Sequence, residues 1–189
     1  MKTALDQNLE LLRQGIELLE QVDDALYPGA PDAQATSYRV GPHLRHCVDA
    51  YGCLIAGLAT RRIDYDGRQR RAGVETDREA GRRALQNIAA SLEQMRGHDP
   101  HMDVQVKVDT PAAETDAWSR STLRRELQFL VGHTVHHFAL IAMILRSAGF
   151  EPGREFGVAP STLRHWARQE LMQEEPVHEE PVYEEPVAG

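Results

Sequence analysis

Residues 126–141 read Glu126-Leu-Gln-Phe-Leu-Val-Gly-His133-Thr-Val-His136-His137-Phe-Ala-Leu-Ile141. The apolar positions of this stretch recur at helical spacing, which predicts a helix with one face in a core. Three imidazoles interrupt the apolar pattern. His133 and His137 are one helical turn apart, so their side chains lie on the same face. Two histidines with this spacing can hold one metal ion, as the paired histidines of zinc-protease helices do.

The same histidines also have an interpretation without a metal. A histidine on an apolar helix face is more often satisfied by a hydrogen bond, and paired surface histidines occur in proteins that bind no metal. A metal site needs at least one further ligand from elsewhere in the chain. His136 points to the side of the His133/His137 face, as an outer hydrogen-bond donor, an alternative ligand or a plain rim residue.

A second helical segment carries the run Gly41-Pro-His43-Leu-Arg-His46-Cys-Val-Asp49. His46 shares a helix face with the small residues Ala50, Cys53 and Gly57, which leave room beside it. Packing of this face against His133 and His137 would surround a divalent ion with three neutral imidazoles and leave positions for water or substrate. Zn²⁺ is the natural occupant, and Ni²⁺ or Fe²⁺ are accepted by the same ligands.

Three neighbours of these histidines are candidates for supporting roles. His43 is an outer donor or a rival of His46 as ligand, and Asp49 is placed to orient either of them. Glu126 lies two turns before His133 on nearly the same face, where a carboxylate would act as a general base or anchor a hydrogen-bond network around the ligands. An ion pair of Glu126 with Arg45 or Arg125 is the structural alternative, and it is the one we favour.

Four segments repeat apolar residues at helical spacing and predict four long helices. They cover residues 5–26, 40–62 and 76–95, and a last helix that begins at Ser119 or Ser121 and ends at Gly149. Thr76 and Glu79 have the spacing of a capping box for the third helix. The alternating run Met102 to Val108 predicts a strand, and a second strand around Ala117-Trp118 closes a hairpin. A short helix is expected over residues 161–166.

These elements predict an all-α fold. The expected architecture is a four-helix bundle with a long crossover and a small β-hairpin before the last long helix. The expected domain covers residues 1–169. Residues 170–189 repeat Glu-Glu-Pro-Val from positions 174, 179 and 184. Such a segment cannot bury a core, and we expect a disordered acidic tail.

The charge of the chain is concentrated in this tail. The last twenty residues hold seven of the glutamates and no Lys or Arg, so they carry −7 of the net −8. The remaining body is nearly neutral, which gives no basis for binding nucleic acid. The cluster Arg68, Arg70 and Arg71 is too short and too poor in aromatic residues for that role, and a solvated loop is the expectation.

Cys47 and Cys53 are expected on one helix, about 9 Å apart along its axis, which is too far for a disulfide. Two unpaired cysteines are typical of a reducing interior. No secretory signal is visible, and no apolar run approaches the ~20 residues that a membrane helix needs. We therefore expect a cytoplasmic protein without a membrane segment.

The histidine-bearing segments resemble the DinB-like (DinB/YfiT) superfamily of metal-dependent proteins. The resemblance rests on Val40-Gly-Pro-His-Leu-Arg-His46 and His133-Thr-Val-His-His137, and it extends over roughly 5–168. The ending Gly157-Val-Ala-Pro-Ser-Thr-Leu-Arg-His165 is similar to one bacterial branch. The resemblance implies a four-helix bundle whose metal is held by His46, His133 and His137, with His43 as the rival for the first position.

The resemblance also implies a broad range of functions. Characterised relatives include transferases and isomerases that use low-molecular-weight thiols, which the metal activates as thiolates. An open metal site can equally ionise water for hydrolysis. We therefore expect a metalloenzyme that performs transferase or hydrolase chemistry on a small molecule, with a thiol as one possible partner. The alternative is a non-catalytic metal-binding stress or scaffold protein whose bundle forms a homodimer.

Overall fold

A computed structural model of the chain describes residues 3–28, 39–69, 71–108 and 118–174. The chain divides into two compact units, Met1–Ala159 and Pro160–Gly189. The described residues are mostly helical and include one small three-stranded sheet. The expectation of a largely α-helical protein is therefore confirmed.

The first unit contains five helices and three strands in the described part of the chain. In order they are α1 (Ala4–Gln21), α2 (Val40–Leu58), β1 (Arg62–Asp64), α3 (Ala72–Thr76), α4 (Arg78–Gln94), β2 (Asp103–Lys107), β3 (Ser119–Thr122) and α5 (Leu123–Ser147). A 3₁₀ turn, Met95–Gly97, follows α4. The described part of the second unit is α6 (Pro160–Glu174).

The N-caps of α4 and α5 differ from the sequence predictions. The Thr76–Glu79 capping box is wrong, because Thr76 ends α3 and the side chain of Asp77 caps α4 by accepting from the backbone N–H of Ala80. Ser119 and Ser121 lie in β3, which runs directly into α5. The cap of α5 is therefore Thr122, whose side chain accepts from the backbone N–H of Arg125.

The C-terminus of α5 is where the sequence places it. The helix ends at Ser147, Ala148 is the C-cap, and Gly149 follows with a φ of +81°. A left-handed residue at this position is the usual helix terminator, and glycine adopts it without the strain that a Cβ would add. The predicted end at Gly149 is confirmed.

The sheet has the strand order β1-β2-β3. β2 and β3 form the predicted antiparallel pair, although the second strand is Ser119–Thr122 and Trp118 lies just before it. β1 pairs with β2 in parallel, and α3 and α4 form the crossover that such a pair requires. Sequence patterning missed β1, because a strand of three residues with only Ile63 buried shows no alternation.

The long helices of the first unit share one core. α1 contacts α4 and α5, and α2 contacts the same two helices. The largest fully buried side chains include Leu12, Leu19, Tyr51, Leu54, Leu85, Leu130 and Phe138. Gly41, at the start of α2, allows the close approach of α3, because a Cβ at this position would lie 1.9 Å from the carbonyl oxygen of Glu75. The packing of α2 against α5 brings the histidines of the two helices side by side.

A buried hydrogen-bond network connects three of these helices. The Tyr51 hydroxyl of α2 donates to Asn8 Oδ1 of α1 at 2.7 Å, and it accepts from Thr134 Oγ1 of α5 at 3.1 Å. Asn8 Nδ2 also donates to the carbonyl oxygen of Leu127 at 2.9 Å. Every member of this network is buried, so each hydrogen bond replaces one that water would otherwise supply.

We expect Tyr51→Phe to lower the free energy of unfolding by about 1–3 kcal/mol, because it leaves buried polar groups of Asn8 and Thr134 unpaired. Urea denaturation of the metal-free protein measures the change. The Asn8→Ala, Tyr51→Phe double variant should lose less than the sum of the single variants, since both remove the same hydrogen bond. Strict additivity would contradict the network.

The last element that the structure describes is α6, which has Pro160 in its first turn and extends to Glu174. It is longer than the expected helix at 161–166, and residue 170, where the acidic tail is expected to begin, lies inside it. Residues 175–189 lie outside the described part, so the disordered tail stays a prediction. By length and composition alone α5 is apolar enough to cross a membrane, a test that core helices also pass.

Candidate metal centre

His46 of α2 and His133 and His137 of α5 converge in the structure. Their candidate ligand atoms lie within 4.8 Å of one another. The ring centroids are 4.6 Å apart for His46 and His137, 4.7 Å for His133 and His137, and 4.9 Å for His46 and His133. Zinc–nitrogen bonds of about 2.0–2.1 Å separate tetrahedral ligand atoms by roughly 3.4 Å. Small ring rotations would therefore let all three imidazoles contact one ion.

The protonation and burial of the three rings are compatible with a metal. Burial, followed by the neighbouring His46, lowers the pKa of His133 to about 4. Burial and the adjacent His133 lower the pKa of His137 to about 3. Burial also lowers the pKa of His46, with a further contribution from Arg68. All three rings are neutral at pH 7, which is the form that binds metal.

One ring nitrogen of His133, the buried Nε2, has no hydrogen-bond partner in the structure. A buried polar atom without a partner costs free energy, so such atoms are rare in folded proteins. A metal bound by the three histidines would satisfy this nitrogen. The donor set, three imidazoles without a carboxylate, fits Zn²⁺ and other divalent transition metals.

His43 does not belong to the group of three converging histidines, although it contacts one of them. His43 Nδ1 lies 3.1 Å from His137 Nδ1, which is hydrogen-bonding distance. A hydrogen bond at one ring nitrogen fixes the ring and leaves the other nitrogen for a metal. Between the two candidates on α2, His46 joins the cluster and His43 contacts His137 from the side. His136 is exposed, and its ring centroid is 5.2 Å from that of His137.

In the described part of the chain Asp49 forms no hydrogen bond to His43 or His46. Its Oδ2 accepts from Arg45 Nη1 at 2.9 Å, and Arg45 Nε donates to Glu75 at 2.8 Å. The other oxygen, Oδ1, is buried with no hydrogen-bond partner. Because Arg45 is one turn before Asp49, it captures the carboxylate, and the expected hydrogen bond to His46 or His43 is not found in the described part of the chain.

Glu126 is buried, with 1% of its surface exposed. Its Oε1 accepts from Ser121 Oγ at 2.5 Å and lies 3.3 Å from Arg125 Nη1. Of the two ion-pair partners predicted for Glu126, Arg45 and Arg125, the structure shows Arg125. Oε2 is buried and has no hydrogen-bond partner. A catalytic role for Glu126 stays a prediction.

Tyr65 and Phe129 contact each other, and Phe129 also contacts His133. The Phe129 ring centroid is 5.5 Å from that of His133 and 5.2 Å from that of Tyr65. Burial, and then the nearby Glu126 carboxylate, raise the pKa of the Tyr65 hydroxyl, which is neutral at pH 7. The sequence gives no indication of these contacts, because Tyr65 lies in a polar loop after β1.

Arg68 also reaches the histidines. Its Nη1 lies 3.3 Å from Nδ1 and 3.4 Å from Nε2 of His46. The sequence predicts only a solvated loop for this residue, and the side chain is indeed exposed. Nothing in the local pattern indicates the contact, because the two residues are 22 positions apart.

The two cysteines are free, as expected. Cys47 is buried, and burial raises its pKa far above the usual range. Cys53 is half-buried, and burial raises its pKa as well. A thiol with a raised pKa is protonated at neutral pH and is a poor nucleophile.

No family model matches the chain, and no solved structure matches it. A curated protein of Rhizopus delemar, named FK506-binding protein 5, is 31% identical to this chain over 116 residues. The match covers 57% of this chain and 28% of that protein, so the chain spans less than a third of its relative. A likeness of this extent does not show a family.

Proposed function

We propose that His46, His133 and His137 bind one divalent metal ion and that this centre performs chemistry on a small molecule. The observation that supports the proposal best is the convergence of three neutral imidazoles from two helices, all within 4.8 Å. The buried Nε2 of His133, which has no partner, adds to it. Zn²⁺ fits this donor set, with Ni²⁺ or Fe²⁺ as alternatives.

The proposed chemistry is the activation of a thiol or of water. A bound ion acts as a Lewis acid that favours the thiolate or hydroxide form of its exogenous ligand at neutral pH. Three protein ligands leave at least one position for that ligand. In this proposal His43 holds the His137 ring by the hydrogen bond between their Nδ1 atoms, and Phe129 excludes water from one side of His133. Activation of a thiol would make the protein a transferase, and activation of water would make it a hydrolase, in each case acting on a small molecule.

We also propose that the fold is the four-helix bundle of the DinB-like superfamily, with a long crossover. Two features support it. α1 and α2 each contact both α4 and α5, which is the neighbour pattern of a bundle. The histidines come from the two segments that carry the resemblance, the first turns of α2 and the middle of α5.

Cobalt substitution tests the thiol branch of the proposal. We expect Co²⁺ bound to the untagged protein to show a thiolate-to-cobalt charge-transfer band when a low-molecular-weight thiol is added, because the thiol enters the open position. Cysteine, glutathione and 2-mercaptoethanol are suitable probes, and absorption spectroscopy is the measurement. His136→Ala, which changes an exposed neighbour of His137, should respond as the wild type does.

Two outcomes would count against the proposal. A cobalt spectrum that no common cellular thiol perturbs excludes thiol activation and leaves water activation, for which hydrolysis of activated esters by the zinc-loaded protein is the assay. A protein that binds metal but shows neither response supports the alternative, a non-catalytic metal-binding protein that acts through dimerisation.

A further inference from the structure

Arg68 brings a positive charge to the edge of the histidine cluster. Its Nη1 is almost equally far from the two ring nitrogens of His46, at 3.3 and 3.4 Å. Similar distances to both nitrogens place the guanidinium against the ring and not along a single lone pair. Because Arg68 is exposed and His46 half-buried, the guanidinium lies where a small molecule from solvent would approach the cluster.

Two carboxylates near Arg68, those of Asp64 and Asp49, have other partners. Asp64 Oδ1 accepts from the backbone N–H groups of Asp66 and Gly67, both at 3.0 Å, and its Oδ2 faces Lys107. Asp49 pairs with Arg45. Within the described ranges no carboxylate forms an ion pair with Arg68. An arginine that contacts imidazoles instead of a carboxylate retains its capacity for a bidentate bond to an anion.

The proposed centre has an excess of positive charge. Three neutral imidazoles contribute no negative charge, so a divalent ion would keep its charge of two, and Arg68 adds one more. A site with this balance attracts anionic ligands and disfavours cationic ones. A single planar guanidinium matches the two oxygens of a carboxylate.

We infer that the substrate is a small molecule bearing a carboxylate, which Arg68 binds while a second group of the same molecule occupies the open metal position. The inference rests on the proposed function and adds the substrate class to it. Arg68 is then a positioning residue, because it orients the substrate toward the metal without itself reacting. Since the side chain is exposed, we expect the carboxylate to add on the order of tenfold in affinity.

Two hydroxamates test the inference independently of thiol chemistry. Acetohydroxamate and succinate monohydroxamate share one metal-binding group, and only the second carries a carboxylate. Each is titrated into the Co²⁺-loaded protein, and its dissociation constant is taken from the visible spectrum. We expect the wild type to bind the carboxylate-bearing compound about tenfold more tightly and Arg68→Gln to reduce this ratio to about one.

Arg71→Gln is the matched control. It removes the same charge close by in the chain, but the Arg71 guanidinium lies against Gly52 of α2, with Nη2 3.3 Å from where a Cβ would stand. The ratio should be retained in this variant. A wild-type ratio near one, a ratio that Arg68→Gln retains, or an equal loss in both variants would overturn the role of Arg68. Cobalt binding that His133→Ala leaves unchanged would overturn the proposed function and this inference together.

Discussion

Replacing His133 with alanine is expected to abolish stoichiometric metal binding, with a loss of affinity of more than about a hundredfold. Removal of an outer hydrogen-bond partner alone costs 10–100-fold, and a direct ligand contributes more. His133 has the strongest case of the three histidines, since its Nε2 is buried without a hydrogen-bond partner. Two remaining imidazoles do not supply the three or four protein ligands that zinc sites use.

Elemental analysis of protein purified without a polyhistidine tag measures the stoichiometry, and competition with a chelator measures the affinity. His136→Ala is the control, because it removes an exposed imidazole next to His137 that lies outside the converging group. We expect this variant to keep one metal per chain. His43→Ala should show an intermediate loss of roughly tenfold, since His43 contacts His137 and not the ion.

The metal centre is contradicted if the wild type carries less than a few tenths of a metal ion per chain and His133→Ala carries the same amount. The histidines would then only form hydrogen bonds with one another. In that case the cluster of His46, His133 and His137 would be structural. Equal losses in His133→Ala and His136→Ala would instead show that His136 contributes as much as His133, and the assignment of the three ligands would be wrong.

The second large effect is expected on stability. Phe138→Ala should lower the free energy of unfolding by about 3–5 kcal/mol, because it removes a large side chain from the core and leaves a cavity. Phe138 is fully buried, and its ring stacks on Phe156 with centroids 4.8 Å apart and planes 15° apart. Its Cζ also lies 2.9 Å from where a Cβ of Gly15 would stand, so the ring fills the space between α1 and α5.

Urea denaturation of the metal-free protein measures this cost without a contribution from metal binding. Met143→Ala is the matched control on the same helix, because Met143 is 66% exposed and its truncation creates no cavity. We expect a change within about 0.5 kcal/mol for the control. A similar small cost for Phe138→Ala would show that α1 and α5 do not share a tightly packed core.

The candidate site was only partly predictable from the sequence. His133 and His137 are one turn apart, and a helix places such residues on one face whatever surrounds it. The face of small residues beside His46 is also a local property of α2. The choice between His46 and His43 is different, because it depends on the rotation of α2 against α5. Only the packing of the two helices groups His46 with His133 and His137 and turns His43 toward His137.

The remaining errors have the same origin. Thr76 and Glu79 have the spacing of a capping box, yet α3 ends at Thr76 and Asp77 becomes the cap. Asp49 has the position to orient a histidine, yet Arg45 is one turn away and takes the carboxylate. In each case two local solutions compete, and the surrounding structure selects one. A spacing rule considers only one of them.

The sequence by itself determined the helical class of this protein, the end of α5 at Gly149, the antiparallel pair of β2 and β3, the free cysteines and the histidine pair on one face of α5. These are properties of periodicity or short spacing, which a helix or hairpin converts directly into geometry. Tertiary structure alone decided the parallel partner of β1, the contacts of Tyr65 and the approach of Arg68 to His46. These contacts join residues distant along the chain, and they exist only after the helices have packed.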